Sequence, residues 1–285
     1  MKWLKYSFFT LLVVLVFGGG YTYFKLKEIG IIPRAIDETE PPALPAFTRP
    51  AVLVLSKANG FVHVDALPAA EAMLKRIAAG KGWDIYLTGN AATHNPQDLR
   101  KFKVVVWNNV SGDVLTQDQR VALKDWITAG GGWVGIHASG GDPSYKWDWY
   151  VDTLIGAQFV GHTMNPQFQD ADVLVTDPQA DVTSHLSSPW NVPQEEWYAF
   201  DSNPRDKGYE ILLTMDESSY ITNGPGVFGT DRMEGEHPIA WRHHLGEGRV
   251  LYGAIGHQGA TYEIPEFQQL IANAIVWAGK MAPTE

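Results

Sequence analysis

The chain contains no cysteine. That excludes disulfides, thiolate nucleophiles, cysteine-ligated zinc and a lipid anchor carried on cysteine. A bound metal would fall to His, Asp, Glu, amide or water ligands. Cations are in deficit too: 22 Lys and Arg stand against 32 Asp and Glu, for a net charge of -10. A nucleic-acid partner, which requires a basic patch, is not expected. No stretch has a compact metal-binding spacing such as H-E-x-x-H. What the sequence has in quantity is apolar surface. With 285 residues and 45% of them hydrophobic, it can build one sizeable core and is too apolar to stay disordered over most of its length.

Charge is also missing from residues 7–24 (SFFTLLVVLVFGGGYTYF), which follow Lys2 and Lys5 and precede Lys25 and Lys27. A positive lead before an apolar run is an export signal, and this run approaches the ~20 residues that span a bilayer. No small-x-small cleavage site follows. Residues 1–6 therefore read as a short cytoplasmic lead and 7–24 as an uncleaved transmembrane signal anchor. Residues 25–50, with Pro33, Pro41, Pro42, Pro45 and Pro50, read as an extended linker. The globular part, 51–280, is expected outside the cytoplasm, periplasmic or at the cell surface. Because residues 1–28 hold four lysines and one glutamate, that part is more acidic than the whole chain.

From residue 51 the chain alternates. Residues 51–56 (AVLVLS), 83–87, 103–107 (KVVVW) and 132–136 are short apolar runs, the pattern of strands buried on both faces. Helical spacing occupies 65–79 and 116–129, the second with Thr116 and Gln119 set as a capping box. This rhythm predicts an α/β fold with a doubly wound, mostly parallel sheet. A helix is expected over 147–155. Strands over 158–162, 167–176, 210–215 and 239–241 suggest an antiparallel elaboration on the same domain, with 182–200 rich in Ser, Pro, Asn and Trp and 218–236 a long loop. Residues 249–255 (RVLYGAI) return to the buried-strand pattern, and 265–278 form a closing helix with Pro265 in its first turn.

The chain is organised around residues 130–141 (GGGWVGIHASGG). A helix runs into three glycines, then a short strand ends abruptly in His137. The G-x-H-x-S pattern is that of a nucleophile elbow with histidine in the nucleophile's place. In a parallel sheet all strand carboxyl ends share one edge, where ligands bind. That edge would collect Ser56, Asn59 and His63 after the first strand, Asn108 and Asn109 after the third, His137 after the fourth and His257 after the late strand. His162, Glu195-Glu196 and His237 are candidates to complete the set. His137, Glu196 and His257 are the expected catalytic groups. His63, Asn108, Asn109, Trp197 and Tyr198 are the expected ligand-binding groups. A divalent metal, if present, is expected on His137, His162 and His257.

Seven segments in order carry a resemblance: SKANGFVH, NNVSGDVLT, GGGWVGIHAS, WYVDTLIGAQFVGH, EEWYAF, HPIAW and GEGRVLYGAIGHQ. Together they resemble the ThuA-like (trehalose utilisation) family over roughly residues 51–279. The resemblance implies a flavodoxin-like fold of the class I glutamine amidotransferase type, and a link to sugars, including oxidised (keto) sugars. It carries over His137, His162, Glu196, His237 and His257 as polar positions, with Glu195 a departure from the aspartate usual there. Amidotransferase chemistry is excluded because its elbow residue is cysteine. The expectation is a membrane-tethered protein acting on a small-molecule carbohydrate by acid–base or metal-assisted chemistry. Its rival is a non-catalytic sugar-binding or scaffolding module on a reused fold.

Overall fold

The computed structural model describes residues 19–28, 32, 38–143, 145–226 and 229–282. Most of the expected anchor, 7–24, lies outside the described residues. Helix α1 (19–28) covers its end, and no helix among the described residues is long and apolar enough to cross a membrane.

The domain is one nine-stranded sheet with helices packed on it. Its parallel half comprises β1 (Ala51–Leu55), β2 (Asp84–Thr88), β3 (Val104–Asn108), β4 (Gly132–Ile136) and β11 (Gly248–Gly253), in the spatial order β2-β1-β3-β4-β11. Strands β1, β3 and β4 are buried at every position. Each buried Val or Leu contributes ~1.5–3 kcal/mol by leaving water, so these runs have no alternative but the middle of the sheet. Helices α2 (Ala66–Lys81), α3 (Pro96–Leu99), α4 (Gln117–Thr128) and α5 (Pro265–Ala278) supply the crossovers and cover. The capping box is formed: Thr116 Oγ1 accepts from the Gln119 amide and Gln119 Oε1 from the Thr116 amide. The mixed α/β architecture with a largely parallel central sheet fits a flavodoxin-like fold.

Beyond β11 the sheet continues antiparallel through β10 (Pro238–Leu245), β9 (Glu210–Met215), β6 (Gln169–Val175) and β7 (Trp190–Glu195). A separate two-stranded ladder pairs β5 (Phe159–His162) with β8 (Tyr198–Phe200). Two of these strands fall in 182–200, the stretch rich in Ser, Pro, Asn and Trp to which the sequence pattern assigns no strand. Pro193 breaks the reading there. It is tolerated because β7 is the sheet's last strand, where an absent N–H costs no ladder bond. The helix expected over 147–155 is a short, wide-turned one at Tyr150–Ile155, closed by Gly156 with φ 94°.

The proline-rich stretch has no regular secondary structure from residue 41 to 48, and it is laid on the domain. Glu38 pairs with the buried Lys57, and Gln119 Nε2 donates to the Glu38 carbonyl at 2.9 Å. The amides of Thr48 and Arg49 donate to Asp84 Oδ2 at 2.7 and 3.0 Å. Phe47 packs against Phe102.

Candidate functional site

The carboxyl ends of β1, β3, β4 and β11 do share one edge, and the polar residues meet there. His137 follows β4 directly and opens a tight turn, His137–Gly140. Its φ is +47°, a left-handed conformation that costs a side-chain-bearing residue ~1–2 kcal/mol. The surroundings enforce it. Tyr252 donates its hydroxyl to the His137 carbonyl at 2.8 Å. Ser139 Oγ bridges neighbouring strand ends, donating to the Trp107 carbonyl at 2.8 Å and accepting from the Val110 amide at 3.1 Å.

The His137 ring is fully buried and its tautomer is fixed. Nδ1 lies 2.5 Å from the Ala254 carbonyl, an acceptor only, so Nδ1 carries the hydrogen and Nε2 presents a lone pair. That lone pair receives the Tyr198 hydroxyl at 2.8 Å, and the two rings stack. His257 Nδ1 stands 3.3 Å away, and Glu196 Oε2 3.6 Å. His257 Nδ1 in turn donates to Glu196 Oε2 at 3.0 Å. His63 closes the group, its ring 4.8 Å from that of His137 and 4.5 Å from that of His257. One ligand-type atom from each of His63, His137, Glu196 and His257 lies within 4.8 Å of every other.

The electrostatics follow from burial. It drives the His137 imidazole well below its ordinary value of 6.5, helped by the neighbouring His63 and His257 and opposed by the Ala254 carbonyl. Burial likewise lowers His63 to about 3, with His257 adding to the effect. Both rings are thus neutral at physiological pH. Burial pushes the Glu196 carboxyl up, but the hydrogen bond from His257, the electrostatic influence of the nearby His257 and His162 rings and the Gln167 amide outweigh it. Glu196 ends below its ordinary value of 4.5 and is ionised. The arrangement can therefore move protons between a carboxylate and a lone-pair nitrogen, or present nitrogen and oxygen donors to a cation.

The other expected residues fall around this group. His162 reaches the opposite oxygen of Glu196, Nδ1 to Oε1 at 3.1 Å. His237 lies behind the site, with Nε2 2.7 Å from the Tyr198 carbonyl and Nδ1 2.7 Å from Glu217 Oε1. Asn108 and Asn109 lie in the floor, fully buried. Asn108 Nδ2 donates to Ser56 Oγ and the Leu67 carbonyl, and Asn109 Nδ2 to Asn108 Oδ1 and the Tyr262 hydroxyl. Their amide hydrogens hold strand ends together. Trp197 is a core residue whose Nε1 donates to the Gln169 carbonyl. Tyr198 is in the site, through its hydroxyl.

Glu195 gains a role the sequence pattern does not show. Its fully buried carboxylate accepts from the Glu196 and His257 amides through Oε1, at 2.9 and 3.0 Å. Oε2 accepts from the Gly256 amide and Thr261 Oγ1, at 3.2 and 2.6 Å. Backbone amides and carbonyls, Ala254 included, carry no signature of their own in a sequence.

Two glycines make room for the tyrosines. A Cβ on Gly140 would meet the Tyr252 ring at 2.5 Å, and one on Gly141 the Tyr198 ring at 2.3 Å. Gly141→Ala is expected to push Tyr198 off His137 and cost ~1–3 kcal/mol in urea denaturation. A cost below ~0.5 kcal/mol would mean that the ring is not pinned there.

The family model for ThuA, trehalose utilisation, matches residues 51–278. The chain belongs to the ThuA family. Among solved structures it is similar to a ThuA-like protein from Bacteroides uniformis, with 26% identity, TM-score 0.68 and coverage of 84% of this chain and 95% of that one. A ThuA-like protein from Parabacteroides merdae gives 18% identity and TM-score 0.61, with 83% and 92% covered. A β-galactosidase from Bacillus circulans shares the fold at 10% identity and TM-score 0.52, over 83% of this chain and 32% of the enzyme. No functionally curated protein matches. The glutamine amidotransferase-like fold implied by the sequence resemblance is present, with His137 at its elbow.

Proposed function

We propose that this ThuA-family chain acts on a carbohydrate, in particular an oxidised (keto) sugar, through His137, His257 and Glu196. The observation that carries the reading is the joining of an ionised carboxylate and two imidazoles at the carboxyl edge of the sheet, within 3.0–3.6 Å of one another. The family's link to trehalose utilisation supplies the substrate class. A carbonyl on the ring acidifies the adjacent C–H, and a buried carboxylate backed by imidazoles suits removal of that proton. Glu196 serves as general base or ligand, and His137 and His257 as acid–base partners or ligands. The sugar would enter beside His257 and His162, the partly exposed members. Phe168 and Phe61, whose rings lie 5.0 and 6.4 Å from that of His257, offer flat apolar faces. Residues 7–24 tether the domain to a membrane from outside the cytoplasm in this reading, and nucleic acid is not a partner.

The test is product analysis with sugars and their 3-keto derivatives, comparing wild type with Glu196→Gln, which keeps the shape and removes the base. Wild type should convert a keto sugar, and the variant should lose ~100-fold or more in rate with a melting temperature within a few degrees. Undiminished turnover in the variant would remove Glu196 from the chemistry. Calorimetric binding of sugars without any conversion would favour the sugar-binding module instead. The complete burial of His137 is the one observation that leans that way.

A further inference from the structure

The proton network described above leaves one loose end. His63 Nδ1 is buried and has no hydrogen-bond partner, although its ring faces two other imidazoles edge-on at 4.5 and 4.8 Å. A buried polar atom without a partner costs ~1–3 kcal/mol.

We infer that His63, His137, Glu196 and His257 form the binding site of one first-row divalent transition-metal ion. Three of the groups form a triangle: 3.3 Å from His137 Nε2 to His257 Nδ1, 3.0 Å from His257 Nδ1 to Glu196 Oε2 and 3.6 Å from His137 Nε2 to Glu196 Oε2. Donor atoms bound to one cation at ~2.0–2.1 Å in a tetrahedral arrangement stand about 3.4 Å apart. The triangle fits a single small cation.

The surroundings of the four groups agree. A metal-binding histidine usually gives its other N–H to a carbonyl or carboxylate, which fixes the tautomer and aims the lone pair. His137 does this through Ala254. The distal oxygen of Glu196 is held by Gln167 Nε2 at 2.6 Å and faces His162 at 3.1 Å. The backbone of His257 is held by Glu195. The side chains of His137 and Glu196 and the backbone of His257 are thus braced from behind. Three imidazoles and one carboxylate suit Zn²⁺, Fe²⁺, Co²⁺ or Ni²⁺, whereas Mg²⁺ and Ca²⁺ take oxygen donors. His162, expected from sequence to be a ligand, instead keeps Nδ1 2.8 Å from the Thr163 carbonyl and 3.1 Å from the second oxygen of Glu196. It is then the partly exposed group left free to handle protons. Two groups must yield: the Tyr198 hydroxyl, which now occupies the His137 lone pair at 2.8 Å, and the His257 hydrogen, which must leave Nδ1, where it now bonds Glu196 at 3.0 Å, so that this nitrogen can face the ion. The inference deepens the sugar reading, on which it rests only for the ion's use: a Lewis acid would polarise the sugar carbonyl.

The full chain, stripped with chelator, is titrated with Co²⁺ followed by its visible absorption, and with Zn²⁺ by calorimetry. One equivalent should bind. His63→Ala should weaken Zn²⁺ at least tenfold, Glu196→Gln should weaken it as well, and Tyr198→Phe should bind as tightly as wild type or more so. X-ray absorption at the cobalt edge of the wild type should show three imidazoles, a readout that needs no variant to fold. Absence of saturable binding, two or fewer imidazoles, or unchanged affinity in a folded His63→Ala would overturn the assignment. Sugar conversion is read separately. A metal-loaded chain inert toward every sugar would leave the metal centre standing and remove the sugar reading, while conversion by the metal-free chain would do the reverse.

Discussion

Replacing Glu195 with alanine should cost ~3–5 kcal/mol of stability, the range for stripping the partner from a buried, hydrogen-bonded charge site. The carboxylate accepts four hydrogen bonds, three from backbone amides and one from Thr261. Alanine would leave four donors facing a cavity that water reaches poorly, and each buried orphan costs ~1–3 kcal/mol. Relaxation of the 256–261 loop would recover part of that. The same bonds fix the chain on either side of His257 and fix Glu196 by its own amide, so the loss would spread to the site. Glu195→Gln should cost less, ~1.5–3 kcal/mol, because one oxygen remains while the new NH₂ confronts a donor. Burial raises the Glu195 carboxyl above its ordinary value, against the hydrogen bonds from Thr261 and the Glu196 amide. Four donors and no acceptor around it fit the ionised form. Urea denaturation of wild type and both variants measures this, and a loss under ~1 kcal/mol for alanine would mean that Glu195 does not organise the loop.

The parallel half of the sheet was legible because its strands are continuous apolar runs bounded by turn residues, and burial on both faces writes that pattern directly. The meeting of His63, His137 and His257 followed from it, since strands running one way end on one edge. Glu196 was legible as one of a carboxylate pair against an aromatic run. The division of labour within the pair was not, because Glu195 differs from Glu196 in what the backbone offers it, and backbone groups are the same in every sequence. Asn108 and Asn109 show a second ambiguity. A polar residue at a strand end can serve a ligand or a neighbouring strand, and here the amides reach Ser56, Leu67 and Tyr262, partners distant in the chain. β7 was hidden by Pro193, a strand breaker anywhere but at a sheet edge. The docking of 38–50 depends on Lys57 and Asp84, and proline content reports extension without reporting what the chain lies on.

Acid should unfold this protein early. Burial holds His63 at about 3 and His94 at about 4, and takes His137 well below 6.5. His94 lies away from the site, its Nε2 accepting the Trp107 indole hydrogen at 3.1 Å. In the unfolded chain each of these imidazoles titrates near ~6.5. Above that pH neither state takes up a proton at them, and the folded state keeps its full stability. Below it the unfolded chain gains protons that the folded chain refuses, and each such group withdraws ~1.4 kcal/mol per pH unit until its folded value is reached. Between pH 6.5 and 5, His63 and His94 together withdraw ~4 kcal/mol and His137 adds to the loss, a large part of the whole stability of an ordinary domain. Glu196 cannot produce this fall, since it sits below 4.5 in the fold and contributes its own acid loss only further down. Melting temperature measured from pH 8 to 4.5 should be nearly level down to about pH 7 and then drop steeply, with His94→Gln removing about a third of the slope while leaving the site untouched. A level profile from pH 7 to 5 would mean that these imidazoles accept protons in the folded state, and the neutral, lone-pair form of His137 on which both the acid–base and the metal readings depend would have to be given up.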